Sequence, residues 1–276
     1  MCDVALRDRS TGQRTGLTLL ELVVVMAILV ALAALLVPLL PEFMGKANQS
    51  AAATNINELE KAIQTFRTTY SRQPNYFDSL LSNDTTLSSL LPSNTTGVAG
   101  GAITTLELKI GPRSRLTREG INTLHDLNGT ATEEHFHATL NPYGTTLTNR
   151  TIASGKNSPN VTVAALASST SVPGLILNED HEYVLFGIGK YCNLCGPDGL
   201  VKEAPVYGHH AQENTPSTVY QRFAVLYDVG ANDTDTDRYN AKFIGIVAIG
   251  SDGLFSCGDL VGTYGDNRYD ASVPRK

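Results

Sequence analysis

Hydrophobic and polar positions along the chain fall into three regimes. From Leu22 to Pro41, twenty residues, none is charged. At about 1.5 Å per helical residue such a run spans the ~30 Å hydrocarbon core of a bilayer, so it predicts a membrane-spanning helix. One carboxylate, Glu21, stands at its start. Farther on, NINELEKAIQTFRTTY places Ile56, Leu59, Ile63, Phe66 and Tyr70 at alternating spacings of three and four, one apolar stripe on a second helix. That stripe is expected to pack on a sheet. The helix should stop before Pro74, because the residue preceding a proline is pushed out of the α region.

The third regime is short and β-like. EYVLFGIG, QRFAVLYDVG and KFIGIVAIG are aromatic or β-branched runs closed by glycine, which predict three or four antiparallel strands. Between about Ser79 and Ser171 the chain is rich in Ser, Thr, Asn and Gly, with AITTLELKI and VTVAALA as its main apolar runs. This stretch is expected to be a loop-heavy exposed insertion. The resulting expectation is an α+β fold in which a long N-terminal helix packs on a small C-terminal antiparallel sheet.

Charge adds orientation. Residues 1–16 carry Arg7, Arg9 and Arg14 against Asp3 and Asp8, a bias that keeps this end cytoplasmic and sends the rest outward. Without those residues the balance is 18 basic against 25 acidic, so the remainder offers no basic stripe and nucleic-acid binding is disfavoured. Cys192, Cys195 and Cys257 then lie in a compartment that permits disulfides, and three cysteines allow one internal bridge at most.

A secretory signal places its small-residue cleavage site after the apolar core. Here Gly16 precedes the core, joined to it by GLTLLE. The segment GLTLLELVVVMAILVALAALLVP resembles the class III signal of type IV pilins and type II secretion pseudopilins, closely over residues 14–41 and loosely beyond. The resemblance implies cleavage after Gly16 by a prepilin peptidase and N-methylation of the new first residue, Leu17, where the family more often has Phe. Glu21 becomes the fifth mature residue, as in the family, and Pro38 the twenty-second, where pilins commonly have proline. The implied partners are identical or related pilin subunits in a filament, the peptidase and an inner-membrane assembly platform.

The resemblance and these patterns together divide the chain into a leader (1–16), an assembly helix (17–41), an amphipathic stem (42–73), a loop-rich insertion (74–180), and a sheet with a C-terminal loop (181–276). Pro38 should kink or locally melt the stem, since proline removes one helical hydrogen bond and clashes with the preceding turn.

Three constellations carry candidate chemistry. The tail GSDGLFSCGDLVGTYGDNRYD is similar to the glycine- and aspartate-rich loop with which major pseudopilins bind calcium, making Asp252, Asp259 and Asp266 the candidate ligands. NDTDTDR alternates Asp233, Asp235 and Asp237 like the start of an EF-hand. The pattern then breaks, with Arg238 at the required glycine and Ile244 at the closing acid, so a solvated acidic loop is expected. CNLC, with His209, His210 and Cys257 downstream, admits a loop-stapling disulfide, a zinc site or a redox pair. No nucleophile elbow, phosphate loop or HExxH motif is present, so no enzymatic activity is expected.

The expectation is therefore a structural subunit of a type II secretion pseudopilus or type IV pilus-like filament. Its rivals are a surface pilin for adhesion or motility and a singly anchored extracytoplasmic binding protein.

Overall fold

The computed structural model describes residues 19–37, 40–82, 85–92, 102–129, 142–144, 146–168, 170, 172, 174–207, 219–236, 239–250 and 253–257. The chain divides into two units, residues 1–44 and 45–276. The first contains helix α1, Leu19–Leu36, none of whose 18 residues is buried. It is long and apolar enough to cross a membrane, a property shared by secretory signals.

Helix α2, Leu40–Tyr70, carries the stripe that dominates the second unit. Ala52, Ala53, Ile56, Leu59, Ile63 and Phe66 are buried, whereas Tyr70 is 52% exposed and packs its ring on Phe66. On the outer side Thr54, Thr65, Thr68 and Thr69 donate back to carbonyls four residues earlier. The helix ends at Tyr70 with Ser71 in the left-handed region (φ 56°), ahead of Pro74 as expected.

The remaining elements, in chain order, are β1 (Phe77–Asp78), β2 (Leu81–Ser82), β3 (Thr86–Leu87), β4 (Ile103–Leu108), α3 (Ile110–Arg118), β5 (Thr123–His125) and β6 (Asn149–Thr151). Then come β7 (Val161–Leu166), β8 (Glu182–Gly187), β9 (Phe223–Gly230), β10 (Lys242–Gly250) and β11 (Gly253–Ser256). Nine strands form one sheet in the order β11-β10-β9-β8-β1-β5-β6, with β7 also pairing to β8 and β4 to β7. All pairs are antiparallel except β1 with β5. β2 and β3 form a separate small hairpin.

The sheet is therefore mostly antiparallel, and much larger than the small C-terminal sheet expected. The physical reason lies in its two buried faces. Along β9, Phe223, Val225, Tyr227 and Val229 point into the cluster that holds the α2 stripe, while Ala224 and Leu226 point into a second cluster. β8 divides likewise, Val184 and Phe186 on one side, Tyr183 and Leu185 on the other. Residues from the stretch read as an insertion close that second side: Leu80, Leu90, Leu91, Leu127, Tyr143 and Val172 are all buried there.

Candidate functional site

Of the residues singled out in the sequence, Glu21 is described: it occupies the first turn of α1 and is the one charged residue in Leu19–Leu36. A carboxylate in a first helical turn faces the positive end of the helix dipole, worth about 0.3–1 kcal/mol. Gly16, Leu17 and Pro38 lie outside the described residues, as do Asp252, Asp259 and Asp266 of the tail, and His209, His210 and Asp237. Among the described residues no group of three or more His, Cys, Asp or Glu is placed to hold a metal ion.

The acidic loop between β9 and β10 has a structural task. Asn232 Oδ1 accepts the backbone N–H of Lys109, and the Asp233 carbonyl accepts that of Gly111, so the loop closes the N-terminus of α3. Arg115, buried in α3, donates to the carbonyls of Val229 and Ala231 and pairs with Asp233 at 3.3 Å. Arg118 donates to the carbonyls of Thr236 and Tyr239. Two guanidinium groups therefore hold a turn that its sequence likens to a cation-binding loop. A Cβ at Gly111 would collide with the Asp233 side chain, which explains the glycine there.

A cluster with no sequence signal sits where β1 meets β8. Asp78 is fully buried and accepts hydrogen bonds from the hydroxyls of Tyr143 (2.9 Å) and Tyr220. Those partners are 65 and 142 residues away in sequence, so no local motif could reveal them. Burial pushes the Asp78 carboxyl up to about 6, although both hydroxyls and the Arg222 charge favour its ionised form. Arg222 lies against the Tyr220 ring at 5.7 Å. Gly189 packs so closely that a Cβ would strike both carboxylate oxygens and the Tyr143 hydroxyl.

Aromatic rings extend this cluster to the surface. His125 is stacked with Tyr76 (centroids 5.8 Å) and meets Tyr191 edge-on at 5.5 Å. Its Nδ1 lies 2.8 Å from Asn149 Oδ1, and burial lowers its pKa below the ordinary 6.5. The Lys190 ammonium lies 4.8 Å from the Tyr191 ring centroid.

Cys192, Cys195 and Cys257 are free thiols. The first two are buried in the turn after β8, and the third is half-buried beyond β11, its Sγ 3.6 Å from Asn57 Oδ1 on α2. Comparison of the chain with protein-family models, with curated proteins and with solved structures gives no match.

Proposed function

We propose that this chain is a structural subunit of a type II secretion pseudopilus or type IV pilus-like filament, cleaved after Gly16 and polymerised through its N-terminal helix. In this reading the leader is cytoplasmic, α1 crosses the inner membrane and the sheet domain faces outward. The observation that carries it is Glu21 in the first turn of an otherwise uncharged helix with no buried residue. An ionised carboxylate in hydrocarbon costs several kcal/mol, and a cationic partner offsets that cost. Cleavage supplies such a cation, the freed α-amine of Leu17 in a neighbouring subunit, so the acid sets the register between subunits. The amphipathic α2 packed on a mostly antiparallel sheet fits the stem and head of such a subunit.

Intact-mass measurement on the protein from its native membrane tests this. The expected mature chain begins at Leu17, with the mass of one added methyl group, and replacing Gly16 by a bulky residue leaves the leader attached. A wild-type chain still beginning at Met1 overturns the filament reading and leaves the singly anchored binding protein in its place.

A further inference from the structure

The loop that follows β8 brings two of the three outward cysteines together. The Cys195 N–H donates to the Cys192 carbonyl at 2.8 Å, closing a four-residue turn. Such a turn holds its end Cα atoms within about 7 Å, inside the range a disulfide requires. Both side chains enter the same core cluster, and the two thiols are near enough that Cys195 helps raise the Cys192 pKa. Cys257 packs against the edge of that cluster, where its Sγ lies beside the Ala53 carbonyl and Asn57 Oδ1 on α2, and the Cys192 thiol feels the Cys195 charge rather than that of Cys257.

We infer that Cys192 and Cys195 are an oxidation site that closes to a disulfide, while Cys257 stays a thiol. In that step each sulfur gives up its hydrogen and the two sulfurs bond. The two electrons and two protons pass to a disulfide oxidant, which becomes two thiols. The bridge would staple a loop already built on local hydrogen bonds, from Gly196 N–H to Val201 O (2.9 Å) and from Val201 N–H to Leu194 O (3.0 Å). That loop is also tied to β1's lead-in, because Asn193 and Asn75 exchange bonds: Asn193 N–H to Asn75 O, and Asn75 N–H to Asn193 Oδ1.

Timing follows from burial. The thiolate is the attacking species, and burial pushes Cys195 to about 11 and Cys192 well above its usual value, with the Asp78 charge adding to both. Closure therefore belongs before the loop docks on the sheet; in the folded state the pair is slow to oxidise or to reduce. Placement in an oxidising compartment rests on the filament reading; the pairing itself does not.

Both cysteines lie between Lys190 and Lys202, so one tryptic peptide carries the whole site. The full-length chain in detergent is reduced in denaturant, refolded with reduced and oxidised glutathione, alkylated and digested without reduction. Expected is a 191–202 peptide that has lost two hydrogens and takes no alkyl group, with Cys257 alkylated. Closure should be at least tenfold slower when the same couple is added to the folded, reduced protein. Double alkylation of 191–202 after refolding, or its linkage to the Cys257 peptide, overturns the assignment. Cys195→Ser should expose Cys192 to alkylation in denaturant, and protection of Cys192 in that variant would also overturn it. An open pair after refolding counts against this inference alone, whereas a chain beginning at Met1 counts against the filament alone.

Discussion

Asp126 and Arg150 meet as a two-point pair inside the sheet domain, Nε to Oδ1 and Nη2 to Oδ2 both at 2.9 Å, with both side chains buried. The pair locks β6 to the segment after β5, and Ser79 Oγ adds a third bond to Asp126 at 2.7 Å. Removing one member of such a pair strands the other charge out of water, which typically costs 3–5 kcal/mol. Asp126→Ala should therefore lower the unfolding free energy by about 3–5 kcal/mol, read as a lower denaturant midpoint at unchanged slope. The double change Asp126→Leu with Arg150→Met should recover most of the loss. A single variant indistinguishable from wild type would mean that the pair is solvated.

Asp78 should make stability fall as pH rises. Its folded pKa, about 6, lies above the ordinary 3.8, so between those values the folded state holds the proton more tightly than the unfolded chain. The stabilising effect is full below about pH 3.8 and is lost as pH rises through about 6. At ~1.4 kcal/mol per pKa unit, the whole effect is roughly 3 kcal/mol. His125, whose folded pKa is lowered, acts in the opposite sense, losing stability as pH falls through 6.5. The informative quantity is therefore the difference between wild type and the Asp78→Asn variant. Denaturation measured from pH 4 to pH 7 should show the variant gaining on wild type as pH rises, and a constant difference would contradict the buried carboxylate.

If the chain assembles as proposed, Glu21→Ala should permit membrane insertion and cleavage yet impair assembly, because it would remove the desolvation cost within one subunit and delete the proposed contact with the next. Normal amounts of processed monomer with few or no filaments are expected by microscopy and sedimentation. Glu21→Gln should behave alike if charge sets the register. If both variants polymerise as wild type does, Glu21 is a carboxylate snorkelling at the edge of an anchor.

Calcium, if the tail aspartates bind it, should raise the melting temperature, since a ligand of the folded state alone adds RT ln(1 + [L]/Kd) to stability. Millimolar calcium should raise the transition and chelator should lower it, and Asp252→Ala should abolish the difference. Identical melting curves would assign the tail to Asp-Gly turns.

Much of the architecture was legible in local pattern, because local pattern is what period and hydropathy report. The uncharged run of α1, the 3-4 stripe of α2 from Ile56 to Phe66 and the strands β8, β9 and β10 all announce themselves within a few consecutive residues. Tertiary structure decided what those windows cannot contain. β1, β5 and β6 are two or three residues long, too short to show a period, and owe their existence to partners already in the sheet. Both faces of the central strands are covered, so their side chains do not alternate apolar with polar, and nothing local reveals that residues 80–172 supply the second cover. The cluster of Asp78 with Tyr143 and Tyr220, and the clasp of Arg115 on Asp233, join residues 65 to 142 positions apart, where only the folded sheet brings charge and donor within a hydrogen bond.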